Sequence, residues 1–308
     1  MKIAGLLLLV LCLPLCQAAP LRLTLQQQED KLQFSYRFAV NGQPQQLSFS
    51  LDNTVLSEHL RQFKAFKPAL LQQYLWRDIQ RHVAKHPGIK VKRMPRQDRL
   101  EYRLQGNDAN LIQQLKAELT TLQAEQTAAY LQREYYTQIR LSNGQLAIVP
   151  DHPRLMKDSL SALLPVATAL HAKLVQLDVR QAIGYISAWL QQIPYQDLSD
   201  RLQSSGASFS PPLHLLRANR ADCDSKAVLL AALIRMLLPD IKQAIIYLPG
   251  HAVLAVQISA ANGDSTITIN GSTYTLIDPT GPALLAVGQI SAEYKIFTQP
   301  GSFTYQLL

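Results

Sequence analysis

Asp222-Cys223-Asp224-Ser225-Lys226-Ala227-Val228-Leu229-Leu230-Ala231-Ala232-Leu233 decides how the second half of this 308-residue chain is read. Asp222 is a natural N-cap, and the run behind it is apolar on every side, so residues 222 to 238 are expected to form a buried helix with Cys223 in its first turn. A helix N-terminus carries partial positive charge and unpaired N–H groups, which favour thiolate over thiol. Twenty-eight residues on, Pro249-Gly250-His251 begins a strand; 27 residues later Leu276-Ile277-Asp278-Pro279-Thr280 ends one. Strands are expected over 244–248, 251–258, 265–270 and 273–277. The turns Asn262-Gly263-Asp264 and Asn270-Gly271 would join the last three into an antiparallel meander, with His251 one strand from Asp278. Thiolate, imidazole and carboxylate held in that order supply nucleophile, general acid/base and orienter. Each residue also has a plain structural reading: an inert cysteine, a surface histidine, an Asp-Pro strand terminator. What separates the two readings is that all three stand at element ends in one stretch of chain.

Outward from this block, helices are expected over 159–176 and 179–192, the second closing at Ile193-Pro194-Tyr195, then a long polar loop over 197–220 containing Pro211-Pro212. Nearer the amino end, residues 21 to 51 alternate with period 2 around Asn41-Gly42 and predict a small antiparallel sheet. Residues 54 to 86 look helical up to Pro87-Gly88, and 89 to 104 return to alternation. Asn107-Asp108 opens a long helix whose stripe of Ile112, Leu115, Leu119 and Leu122 is expected to pack in a core. A boundary falls near Asn143-Gly144 or Pro150 to Pro153. The chain thus divides into a leader (1–18), a basic α+β appendage (19–150) and an α+β Cys-His-Asp domain (151–308).

A composition of 47% hydrophobic and 17% charged residues excludes disorder, and three cysteines exclude a disulfide scaffold or a multi-cysteine zinc module. Met1-Lys2 followed by Leu6 to Leu13 and the exit Cys16-Gln17-Ala18-Ala19 reads as a secretory signal peptide cleaved after Ala18. A lipid anchor on Cys16 is the competing reading, but Leu15 precedes it where a small residue is usual. Cleavage removes Cys12 and Cys16 and leaves Cys223 alone, in a chain expected to be exported and soluble: periplasmic in a Gram-negative bacterium, otherwise secreted. Residues 61 to 103 hold twelve Lys or Arg against three acidic residues, a net +9, so the rest of the chain contributes −1 to the total of +8. That stretch is either a solvated face or a surface for anionic cell-envelope material; export argues against nucleic acid. His82 and His86 stand four apart on a helix, but no acidic residue at motif spacing completes a metal site. No metal or cofactor is expected.

Ala221 to Ala227 with Leu229 to Leu233, then Gly250-His251-Ala252-Val253, then Ile277-Asp278-Pro279-Thr280-Gly281, with Trp189 to Tyr195 ahead of them, resembles the transglutaminase-like superfamily, especially its bacterial members. The resemblance covers roughly residues 155 to 285. It implies a papain-like transglutaminase core, helices packed on an antiparallel sheet, with Cys223, His251 and Asp278 as the catalytic triad. Ala221 stands where many members have Gly, and Val253 where many have an aromatic, which bears on substrate subsites. The expected activity is acyl transfer from a protein or peptide substrate: a cysteine peptidase or amidase first, a cross-linking transglutaminase second. A non-catalytic binding or scaffold protein of the envelope is the alternative of a different class.

Overall fold

The computed structural model describes residues 21–94, 100–198 and 209–308. The proposed leader with Cys12 and Cys16, the basic residues Arg96 and Arg99, and residues 199–208 of the expected polar loop therefore lie outside the described residues. The fold is α+β with antiparallel sheets. β1 (Arg22–Gln28), β2 (Lys31–Val40) and β3 (Gln43–Asp52) pair in that order, as the alternation and the Asn41-Gly42 turn require. α1 (Asn53–Gln62) and α2 (Pro68–Val83) occupy the stretch expected to be one helix. The break is at Pro68: proline lacks an N–H and disfavours helical backbone in the residue before it, and Lys67 is extended at φ −118°.

β4 (Lys90–Arg93) and β5 (Tyr102–Gln105) form a ribbon. α3 (Ala109–Arg133) starts at Asp108, whose carboxylate accepts from the Leu111 N–H at 3.0 Å. Buried Leu115 and Leu119 of its stripe pack with Ile79 and Val83 of α2 in a small separate core. β6 (Tyr136–Arg140) and β7 (Leu146–Pro150) make a hairpin around Asn143-Gly144, the stretch read as a boundary.

α5 (Leu164–Leu174) falls within the expected helix over 159–176, and α4 (His152–Ser159) precedes it; Pro153 and Pro165 each sit in a first turn, where a missing N–H costs nothing. α6 (Val179–Gln192) follows behind a capping box at Asp178. α7 (Pro212–Ala218) lies inside the expected loop: Pro212 starts it and Asn219, left-handed at φ 51°, ends it. α8 (Cys223–Leu237) is buried from Ser225 through Ile234. β8 (Gln243–Leu248), β9 (His251–Val256), β10 (Thr266–Ile269), β11 (Ser272–Ile277) and, after a 3₁₀ segment (Ala292–Thr298), β12 (Thr304–Leu307) complete a five-stranded sheet. Its order is β10-β11-β9-β8-β12. The last three predicted strands are thus not a simple meander. β11 inserts beside β9, with Ile277 opposite Leu254, so the end of β11 meets the start of β9 directly.

Both faces of this sheet are covered. Ala252, Leu254 and Val256 face the large core built on α8, whereas Val253 and Ala255 face a second cluster under Tyr294, Phe297 and Phe303 of the tail. The large core also crosses residue 150. Trp189 of α6 lies edge-on to Tyr36 of β2, ring centroids 5.1 Å apart, and near Phe38 and Phe49. The first sheet is therefore seated on the helices that carry the candidate chemistry. The basic stretch behaves differently: all nine of its Lys and Arg residues whose side chains are described are exposed. No described helix is long and apolar enough to cross a membrane.

Candidate active site

Cys223 is the first residue of α8, where the expected cap forms: the Asp222 carboxylate accepts from the Ser225 N–H at 3.3 Å. The backbone ahead of it is braced. Ala221 bridges Tyr195, its N–H donating to Pro194 O at 3.2 Å and its carbonyl accepting from the Gln196 N–H at 3.0 Å. His251 opens β9 after a two-residue turn in which Gly250 takes φ +70°, a conformation glycine adopts without strain. Asp278 follows β11. The strand order brings the last two together: His251 Nε2 lies 2.9 Å from Asp278 Oδ2, with both side chains largely buried. The backbone N–H groups of Ala252 and Asp224 lie near enough to the Cys223 sulfur to favour its thiolate, so the thiol sits against the residue that follows His251. Cys223 and His251 line one cavity of about 570 Å³, with Asp278 behind the imidazole.

Asp278 is held charged. Burial alone would raise its pKa, but the His251 hydrogen bond and charge, together with the Thr280 N–H donating to Oδ1 at 3.0 Å, bring it below the usual carboxylate range. Its loop is fixed from beneath by α6: Gln191 Nε2 donates to Asp278 O at 2.7 Å and to Leu285 O at 2.9 Å. Gly281 passes so close that a Cβ there would stand 1.9 Å from Gln191 O.

The thiol departs from expectation. Burial, then the charges of Asp224 and Asp222, push Cys223 up to about 12 in spite of the helix N-terminus and the two N–H donors. The resting group is therefore a thiol, because desolvation and two nearby carboxylates outweigh a half-charge of dipole. Asp222 and Asp224 are themselves raised by burial and hydrogen-bond to one another, which holds a proton between them. Beyond them stands a second histidine, His152 at the start of α4: Nε2 is 3.1 Å from Asp224 Oδ2 and Nδ1 is 2.6 Å from the Tyr247 hydroxyl. Burial lowers His152 to about 4, so it is neutral.

Sequence reasoning missed three further groups. Lys226 is fully buried and donates through Nζ to Ile193 O and Thr280 O, tying the first turn of α8 to the end of α6 and to the Asp278 loop. Its signal was visible: a lysine in a first turn opposes the helix dipole and calls for another reason. Tyr294 stacks on the His251 ring at 4.4 Å and 17°; it lies in a tail without periodicity. The β6–β7 hairpin supplies a wall of the cavity through Ile139, Leu141 and Asn143, a contact no local pattern announces. Among the described residues, the one group of side chains that could converge on a metal ion is His82, His86 and Glu118, in the amino-terminal part. No family model, curated protein or solved structure matches this chain.

Proposed function

We propose that this protein is an exported thiol acyl-transfer enzyme with a papain-like, transglutaminase-type core, acting as a cysteine peptidase or amidase on a protein or peptide substrate. The observation that carries the reading is the His251–Asp278 pair at 2.9 Å, with Cys223 beside it in the same cavity. Because Nε2 is engaged by Asp278, the other ring nitrogen, Nδ1, takes the thiol proton. The thiolate adds to the substrate carbonyl, the imidazolium returns the proton to the departing nitrogen, and the C–N bond breaks to leave a thioester on Cys223. Asp278 stabilises the imidazolium and holds its tautomer. The backbone N–H of Cys223, at a helix start, is the proposed oxyanion donor. Water resolves the thioester.

A specific observation favours a second reading, transfer to an amine. Every charged residue lining the cavity is acidic (Asp197, Asp222 and Asp224), an environment that would hold a cationic amine near the thioester. Incubating the mature chain with glutamine-containing peptides, with and without a primary amine, separates the two. Peptide cleavage or ammonia release with a mass-detected Cys223 acyl adduct supports hydrolysis, and amine incorporation at the expense of hydrolysis supports transfer. Absence of any adduct or product across peptide and carboxamide panels would leave the binding or scaffold reading. The exposed basic stretch is proposed to engage anionic envelope surfaces, which requires binding that weakens as salt rises.

A further inference from the structure

We propose that His82, His86 and Glu118 form a binding site for a divalent first-row transition metal that clips α2 to α3. His82 and His86 stand one helical turn apart, with ring centroids 5.7 Å from each other. The acidic ligand absent at motif spacing comes instead from another helix: His82 Nε2 lies 2.9 Å from Glu118 Oε2. One donor atom from each of the three residues lies within 4.8 Å of the other two. Two ligands bound at about 2.0 Å to a tetrahedral ion stand about 3.3 Å apart. The His82–Glu118 edge is thus already near that spacing, and His86, outside α2 on a free-ended side chain, closes the remainder by a rotamer adjustment.

An ion pair between His82 and Glu118 would account for two of these residues and leaves the third unexplained. Convergence of His86 on the same point is what a metal accounts for. The supporting structure also suits a site. Gln114 Nε2 donates to Glu118 Oε1 at 2.8 Å, leaving Oε2 to face the histidines. Leu115 and Leu119, on either side of Glu118 in sequence, are buried against Ile79 and Val83, so packing fixes the register of the two helices that present the ligands. Arg81, the cation next to His82 in sequence, is paired with Asp78 at 3.5 Å. Two imidazoles and one carboxylate suit Zn²⁺, Ni²⁺ or Cu²⁺ over Ca²⁺ or Mg²⁺, with a fourth position left to water.

The test is calorimetric titration of the mature chain with Zn²⁺ after chelator treatment, in a Cys223→Ala background so that the thiol cannot serve as a ligand. Melting with and without Zn²⁺ is measured in parallel. The expected result is one saturable site with micromolar or tighter Kd, a rise of several degrees in Tm at excess metal, and affinity at least tenfold weaker in both His86→Ala and Glu118→Gln. Glu118→Gln keeps the length and hydrogen bonding of the side chain, so a change in packing does not mimic the loss. Absence of a saturable site, or a Kd in either variant within tenfold of that of the chain with His86 and Glu118 intact, overturns the proposal.

Discussion

Cys223 shares one cavity with two histidines, each backed by a carboxylate, and the two pairs differ in where the proton is held. His251 is backed by Asp278, a carboxylate kept charged by its imidazole partner and by the Thr280 N–H. His152 is backed by Asp224, which burial raises and which shares a proton with Asp222; the ring itself is buried and pushed down to about 4. A histidine acts as a general base when a fixed negative charge stabilises its cation. His251 has that charge. His152 belongs to a hydrogen-bonded chain through Tyr247 and is kept neutral by burial in spite of the carboxylate beside it, so its place is structural. Similar distances, 2.9 Å and 3.1 Å, thus do not imply similar roles; the environment of the carboxylate decides.

The sharpest way to break this comparison is to exchange the histidines for glutamine. On the substrate found in the peptide and carboxamide panels, His251→Gln is expected to lower kcat/KM by about a thousandfold or more, and His152→Gln by less than about tenfold. Equal losses would make the two pairs equivalent. The carboxylates follow: Asp278→Asn should cost about a hundredfold to ten-thousandfold in kcat, by fixing the wrong tautomer, whereas Asp224→Asn should cost less than about tenfold.

Stability sharpens the same contrast. The Asp278 loop is held at Gly281 and Lys226, and both can be disturbed without touching the reacting atoms. Gly281→Ala would place its Cβ 1.9 Å from Gln191 O on a backbone at φ +68°, and is expected to lower stability by about 2–4 kcal/mol. Lys226→Ala would leave two buried carbonyls, Ile193 O and Thr280 O, without their donor, at about 3 kcal/mol. Chemical denaturation measures both; neutrality of either would mean that the loop is not braced as described.

The most gradual effect is the pH dependence of folding. His152 falls from its ordinary 6.5 to about 4 on folding, so between those values the unfolded chain binds a proton that the folded chain refuses. Its contribution is complete above about 6.5 and declines as the pH drops towards 4, with a slope of up to about 1.4 kcal/mol per pH unit. His152→Gln should remove that slope. The Asp222–Asp224 pair acts with the opposite sign: raised on folding, it favours the folded chain as pH falls and loses that contribution as pH rises through its titration. Denaturation midpoints collected from pH 7 to 4 in wild type and variant decide whether His152 carries the slope.

How much of this was legible follows from the range of each interaction. Asp222, Asp108 and Asp178 cap the helices they precede, and caps act within three residues. His251 and Asp278 stand at strand ends that alternation marks. The adjacency of β11 and β9 was not written locally, since it depends on a crossover that puts β10 outside. His152 was invisible for the same reason: its partners are 72 and 95 residues away in sequence. Pro68, Pro165 and Pro212 were all in plain view, but the apolar spacing runs a helix through the first two and a polar composition puts the third in a loop, whereas each begins a helix. The thiol was misjudged because a helix dipole is legible in sequence and desolvation is not.

The central claim is that Cys223, a thiol at rest with its pKa pushed up to about 12, becomes a nucleophile only through His251 backed by Asp278. Its most direct measurement is the rate of iodoacetamide alkylation of Cys223, followed by intact mass from pH 5 to 10, in wild type and His251→Gln. Wild type is predicted to react at neutral pH at least tenfold faster than the variant, whose rate should rise only in the alkaline range. Superimposable pH profiles for the two proteins would contradict the account.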